Sequence, residues 1–329
     1  MEEKTLTLQD VLDAKERIKP YTVHTPLLRE ATMDEALGCQ VYLKPEMLQV
    51  SGAFKMRGAA NRVMSLTEEE RKRGIVCTSS GNHGNACALI GQMTGTPVTV
   101  VLPEDVPAIK REGARKKGAN VILTERTFAV RWAKVQELAR TEGYTIAHAY
   151  SDYKVMAGQG TIGLEILEDL ADVDTIITPI GGGGLISGIA TAVKALKPAV
   201  KIVGAQAKGQ DAYAASWRAG EPVRVKTTPS IADGINCGVT EEPNYSIIKR
   251  LVDECVSVEE EDIRSAMRLV AKEAKLFAEP SSCVGIAALL GGAYKAEPDE
   301  KIVFVLTAGN WDIESFGKIM KGEPVEGSL

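Results

Sequence analysis

Three short segments of the chain bring together residue types able to do covalent and acid–base chemistry. The first is SGAFKMRGA, Ser51 to Ala59, in which Lys55 stands behind Gly52 and Phe54 and ahead of a small-residue helix start. A lysine packed in such a setting loses charge by desolvation and becomes nucleophilic, whereas a surface lysine stays a solvated cation; the segment alone fits either. The second, Thr78 to Leu89, reads TSSGNHGNACAL and sets hydroxyl, amide, imidazole and backbone donors at a strand end. Such a loop suits a substrate carboxylate, and it equally suits an ordinary helix cap with its turn. The third is four consecutive glycines, Gly181 to Gly184, followed by Leu185-Ile186-Ser187-Gly188 between a strand and a helix. Backbone without side chains lets several N–H groups converge on a phosphate; the alternative is a tight strand–helix turn.

Spacing narrows the phosphate reading. A dinucleotide fingerprint fails because its third glycine falls on Ile186 or Ser187 and no acid lies about 20 residues on, at Val203 to Gln206. A P-loop fails because no lysine follows Gly188. The three histidines, His24, His83 and His148, form no H-x-x-x-H pair, so no metal-ligand set is expected.

The elements that must hold these segments alternate between β-branched runs and helical stretches. A helix is predicted over Leu8 to Lys19, ending before Pro20, and a strand over Gln40 to Lys44. Strands follow at Ile75 to Ser79, Thr96 to Pro103, Ala119 to Thr124 and within TIAHA. The intervening helices are predicted at Asn82 to Thr94, Pro107 to Lys117 and Phe128 to Glu142. Later come a helix after Gly160, strands at Asp174 to Ile180 and Lys201 to Gln206, a helix over Gly188 to Leu196, and a buried strand in Lys301 to Asn310. Ser257 and Glu260 have capping-box spacing ahead of a face bearing Ile263, Met267 and Val270. Continuous apolar strands separated by helices mean an α/β fold with parallel sheet covered on both faces. Ligands in such folds sit at the carboxyl ends of strands, where the segments after Cys77, Ile180 and Leu306 fall.

Bulk composition excludes other classes. With 329 residues, 44% hydrophobic and 25% charged, the chain can bury a large core. A formal net charge of −5 and the lack of a long basic run disfavour a nucleic-acid partner. No apolar run approaches the roughly 18 residues of a membrane span, and MEEKTLTLQDVLDAKERIKPY reads as an acidic start and an amphipathic helix rather than a signal peptide. Six cysteines without a CxxC pair read as reduced thiols of a cytoplasmic protein.

Taken together, HTPL (His24 to Leu27), KPE, SGAFKMRGA, SSGNHG, AGQGTIGLEI (Ala157 to Ile166), GGGGLISG, IADGI (Ile231 to Ile235), AEPSSCVGIAALL and LTAGN run colinearly along nearly the whole chain. The set resembles fold-type II pyridoxal-phosphate enzymes, in the threonine/serine dehydratase and serine racemase branch. The resemblance implies two open, mostly parallel twisted sheets covered by helices, as in the tryptophan synthase β subunit. Residues 1–65 with 150–329 would form a large cofactor-binding domain, and 66–149 a small substrate-side domain. It implies pyridoxal 5'-phosphate as cofactor and a small β-hydroxy-amino acid, L-threonine or L-serine, as substrate. The products would be a 2-oxo acid and ammonia. A serine or related racemase is the rival activity, and a homodimer or homotetramer the expected assembly.

By the same resemblance, Lys55 is the Schiff-base lysine and the base at Cα, and Phe54 packs beside the cofactor ring. Asn82 bonds its phenolic oxygen, Gly181, Gly182, Gly183, Gly184 and Leu185 hold its phosphate, Glu279 lies in the cofactor site, and Thr307 faces the ring nitrogen. Ser79, Asn82, His83, Arg131 and Gly234 would bind substrate, and Ser80 would be the second-face acid–base group of a racemase or else a turn residue. A hydroxyl at 307 does not force the ring nitrogen to stay protonated, which favours prompt loss of the β-hydroxyl. Three departures stand out. Ala53 replaces a usual serine, Gln206 stands where several relatives carry a cation-binding glutamate, and the end at Leu329 leaves no room for an appended regulatory domain.

Overall fold

A computed structural model describes residues 5–327; the acidic opening, residues 1–4, and the terminal residues 328 and 329 lie outside them. Ten strands form two sheets. The six-stranded sheet runs β1 (Leu28–Arg29), β2 (Gln40–Pro45), β10 (Lys301–Leu306), β7 (Thr175–Pro179), β8 (Lys201–Ala207) and β9 (Glu254–Val258). The four-stranded sheet runs β5 (Asn120–Thr124), β4 (Val98–Pro103), β3 (Ile75–Cys77) and β6 (Thr145–Ile146). All pairings are parallel except β1 with β2.

Both faces of the larger sheet are buried, which is why its strands read as unbroken apolar runs. On β10, Ile302, Phe304 and Leu306 pack with Ile263, Met267, Val284 and Ile319, while Val303 and Val305 point to the other face, among Ile162, Ile166, Ile189 and Val193. The smaller sheet packs Ile75, Cys77, Val98 and Val100 against Met56, Ala60, Val63, Ala86 and Ile90, from helices Lys55–Met64 and Asn82–Thr94.

Helix Tyr153–Asp169 joins the two halves of the site. It starts well before Gly160, because Asp152 caps it, its carboxylate accepting from the N–H groups of Lys154 and Val155. The glycines along this helix are contact points. A Cβ on Gly158 would meet Arg57 O at 2.5 Å, and one on Gly188, in helix Gly184–Leu196, would meet Gly160 N at 2.7 Å. Three helix backbones thus touch along one seam.

A second anchor lies beside Lys55. Arg57, fully buried, bonds Glu46 (Nε to Oε2, 2.7 Å) and Glu165 (Nη2 to Oε2, 2.8 Å), and Lys44 pairs with Glu165 at 2.7 Å. Elsewhere boundaries move by a few residues, and one reading fails. Ser257 lies inside β9, and helix Glu260–Leu269 has Glu259 as N-cap without a side-chain cap. The Glu260 carboxylate instead accepts from Ile231 N at 3.1 Å, so the capping-box spacing serves a tertiary contact.

Candidate active site

The carboxyl ends of β3, β7 and β10 and the start of helix Lys55–Met64 converge. Ala53 bridges Ala308 and Phe54 N donates to Thr307 O at 3.0 Å, which ties the lysine turn to the end of β10. Lys55 Nζ donates to Ala149 O at 2.8 Å and lies 4.9 Å from the Phe54 ring centroid. Burial draws its pKa down to about 8, opposed in part by the fields of Cys87 and Glu279. A partly neutral amine near physiological pH is a competent nucleophile and base.

The glycine turn after β7 is an anion cradle. Gly183 takes φ +88°, and a Cβ on Gly184 would meet Tyr150 O at 2.7 Å; the Tyr150 ring occupies the space a Gly182 side chain would need. Tyr213 Oη (3.0 Å) and Asn244 Nδ2 (2.7 Å) both donate to Gly182 O, turning that carbonyl out of the loop. Among the described residues, none of the backbone N–H groups from Gly181 to Leu185 has an acceptor. Five N–H groups without acceptors at the positive end of a long helix suit an anion of several oxygens.

Across the site, helix Asn82–Thr94 opens after Gly81, and the N–H groups of Asn82, His83 and Gly84 also lack acceptors among the described residues. Ser79 Oγ accepts from Gly81 N at 3.3 Å, so Ser79 closes the turn, whereas the Ser80 hydroxyl has no partner among the described residues. The His83 side chain turns away into the protein. Its Nε2 bonds Ala147 O at 2.9 Å, and burial, with the field of Lys55, holds its pKa down at about 3, so it stays neutral. Its backbone N–H is among those without an acceptor. Arg131 Nη1 reaches this loop, donating to Thr78 Oγ1 at 3.2 Å, and burial lowers its pKa.

Asn82 is held from two sides: Nδ2 donates to Glu279, and Oδ1 accepts from Asn310 Nδ2 at 2.8 Å. Burial raises Glu279 to about 7, against the Asn82 hydrogen bond that lowers it. A Cβ on Gly234 would meet Ser281 Oγ at 2.8 Å and Glu279 Oε1 at 3.2 Å, which places the 233–235 turn beside this carboxyl. Thr307 Oγ1 lies 2.9 Å from Ser282 Oγ, whose other bonds run to the Ala308 backbone, so no carboxylate pairs with this hydroxyl. The Gln206 amide is fully engaged, with Nε2 donating to Ile180 O and Gln210 O and Oε1 accepting from Ala214 N.

Every site residue picked from the sequence therefore falls in one region at the strand ends, with the His83 ring pointing away from it. Ser282 and Asn310 went unassigned although both lie in quoted motifs. Tyr150, Tyr213 and Asn244, which shape the cradle, carry no sequence signal, since they act by lying across glycines distant in the chain.

Residues 18–308 match the family model described as pyridoxal-phosphate dependent enzyme. The L-threonine ammonia-lyase of Thermotoga maritima is 39% identical over 316 residues, 96% of this chain and 78% of that one. The catabolic L-threonine dehydratase of Staphylococcus aureus is 39% identical over 311 residues, covering 94% and 90%. Among solved structures, serine racemase from Dictyostelium discoideum superposes with a TM-score of 0.89 at 37% identity, over 94% of this chain and 100% of that one.

Proposed function

This chain belongs to the pyridoxal-phosphate dependent enzyme family, and from that membership we propose that it is a dehydratase (ammonia-lyase). Its substrate is a small β-hydroxy-amino acid, L-threonine or L-serine, and its products are a 2-oxo acid and ammonia. One observation carries the reading. A neutral-tending lysine, five N–H donors without acceptors on the glycine turn and a hydroxyl rather than a carboxylate at Thr307 lie together at the strand ends. The likeness to threonine ammonia-lyases supports the substrate class.

The residues fit the cofactor. The turn from Gly181 to Leu185 matches a phosphate dianion, Lys55 Nζ would hold the group covalently, and Phe54 lies beside that amine. Asn82 would meet its phenolic oxygen with Glu279 behind, and Thr307 its ring nitrogen. When bound, pyridoxal phosphate supplies an electron sink for charge left at the substrate Cα. The chain's own groups do the rest. The N–H groups of Asn82, His83 and Gly84 hold the substrate carboxylate, with Ser79 shaping the turn and Arg131 reaching it from helix Phe128–Thr141. Once the substrate's amino group has taken its place, Lys55 Nζ, neutral, takes the Cα proton and the β-hydroxyl departs, proton and hydroxyl together making one water; the released enamine then adds water to give the 2-oxo acid and ammonia.

Ser80 favours a second activity. Its partnerless hydroxyl, beside the carboxylate loop, can serve as an acid–base group on the opposite face of Cα, which racemisation needs. Residues 66–149 form the small substrate-side domain, supported by a four-stranded sheet lying wholly within 75–146, and 1–65 with 150–329 form the large one. Free thiols at all six cysteines support a cytoplasmic location, and light scattering is expected to read a homodimer or homotetramer. The deciding experiment offers the holoenzyme a panel of β-hydroxy-amino acids and assays 2-oxo acid and D-amino acid together. Failure to form 2-oxo acid from any of them overturns the dehydratase assignment.

A further inference from the structure

Directly beneath the carboxylate loop lie three buried groups that the chemistry above does not use: Cys77 at the end of β3, and His83 and Cys87 one turn apart on helix Asn82–Thr94. Their candidate ligand atoms all lie within 4.8 Å of one another. We propose that Cys77, His83 and Cys87 form a binding site for a thiophilic divalent cation of the zinc class, whose occupancy inhibits the enzyme.

The donors are arranged for such an ion. Ala147 O can only accept, so the 2.9 Å contact places a proton on His83 Nε2 and leaves the Nδ1 lone pair available. A ligand histidine commonly has its other nitrogen fixed in this way by a backbone carbonyl. Cys87 Sγ lies 4.0 Å from Nδ1 and 3.5 Å from Nε2. A tetrahedral zinc with sulfur at about 2.3 Å and nitrogen at about 2.0 Å holds its ligand atoms roughly 3.5–4 Å apart, so the cluster needs only a small contraction. Two thiolates and an imidazole select a soft or borderline ion over magnesium or calcium. On binding, two S–H bonds break, two sulfur–metal bonds form, and two protons leave to solvent, with no change of oxidation state. Three ligands leave a fourth position open, as in reactive rather than structural sites.

The cluster is coupled to the chemistry. Cys87 lies within electrostatic reach of Lys55, and His83 follows Asn82 in the chain. The divalent ion and its two thiolates carry no net charge together, so the coupling is mechanical: ligation at His83 and Cys87 pulls on the helix turn that carries the carboxylate donors. The approach is through the loop above, where Thr78, Ser79, Ser80 and Asn82 are only partly buried and Gly81 is exposed.

The test titrates reduced holoenzyme with Cd²⁺, whose thiolate charge-transfer band in the ultraviolet reports sulfur ligation directly, and repeats the activity assay with Zn²⁺. The wild type is expected to show a band that saturates at one ion per chain. Activity with Zn²⁺ is expected to fall roughly tenfold or more and to return on adding chelator. The double variant Cys77→Ala with Cys87→Ala is expected to keep its cofactor and basal activity, lose the band and resist Zn²⁺. Each single variant is expected to weaken uptake by more than the roughly 10–100-fold that losing a ligand's supporting partner costs. Should the alanine pair fail to fold, the serine pair removes the thiolates with less loss of volume. No band in the wild type, or an equal band in the folded double variant, overturns the site. Zn²⁺ inhibition that persists in the double variant overturns the coupling to the carboxylate loop.

Discussion

Asn82 donates its side-chain amide to both carboxylate oxygens of Glu279, at 3.2 and 3.1 Å, although the two residues are 197 positions apart in the chain. The amide is the smaller influence on that carboxyl, because burial outweighs it and raises the Glu279 pKa to about 7.

The sign of the resulting pH dependence follows from linkage. A carboxyl titrating near 4.5 when unfolded and near 7 when folded contributes stability fully at pH below about 4.5 and loses it as pH rises to about 7. The contribution amounts to a few kcal/mol at most. Melting of cofactor-free protein across this window is expected to show wild type losing ground to Glu279→Gln as pH rises. A difference that stays constant with pH would mean Glu279 is not the buried acid.

Lys55 titrates in the opposite sense, its ammonium form being disfavoured by burial. Uptake of cofactor by cofactor-free protein needs the neutral amine, so its rate is expected to climb with pH and level off above about 8, where an ordinary lysine would keep climbing toward 10.5. Lys55→Ala is expected to fold, to give no borohydride-trapped adduct, and to lose essentially all turnover. An adduct mapped to another lysine refutes the assignment.

Ser80 and Arg131 separate the two activities. Ser80→Ala is expected to abolish interconversion of L- and D-serine while sparing elimination from the L-isomer, which needs Lys55 alone. Arg131→Ala is expected to raise KM for every reaction by roughly 10–100-fold, the worth of a charged hydrogen bond, with a smaller change in kcat. Equal loss of L- and D-activity in Ser80→Ala would make that serine structural.

At Gln206 the amide donates to two backbone carbonyls that a cation would otherwise have to satisfy. Activity is therefore expected to survive chelator treatment. Gln206→Glu removes both donors and is expected to cost about 1–3 kcal/mol in chelator, measured by urea unfolding, and to recover with Mg²⁺. A strong chelator loss in the wild type would point to other ligands.

Arg57→Met leaves Glu46 and Glu165 buried without their guanidinium. Breaking a buried pair from one side costs about 3–5 kcal/mol, which a urea midpoint registers at neutral pH. Acidification toward the carboxyl range is expected to narrow the gap, as Glu165, held low against its burial chiefly by the guanidinium, takes up a proton once that partner is gone. A loss that ignores pH would mean packing, not charge, dominates.

Much of the site was legible because its chemistry is local: Lys55, the Asn82 loop and the glycine turn each form within about ten residues at a strand–helix junction. What hid was what long-range packing decides. The helix predicted after Gly160 begins at Tyr153, and its glycines are there because a neighbouring backbone needs their bare Cα. Glu260 looked like a cap and proved to hold Ile231. Paired histidines are the legible signal of a metal-ligand set, and His83 with Cys87 is a mixed pair at the same spacing whose third member, Cys77, arrives from a strand.

The seam where Gly158 meets Arg57 and Gly188 meets Gly160 works as a calliper. One jaw carries the lysine, the other the phosphate cradle, and their opening is set by backbone on backbone rather than by side chains that can change rotamer. A rigid ligand anchored at both ends tolerates little error in that span, so a single added methyl at Gly158 or Gly188 would be felt as a looser grip on the cofactor. Because the added methyl would press on backbone that must itself give way, the same change would cost the fold as well as the grip.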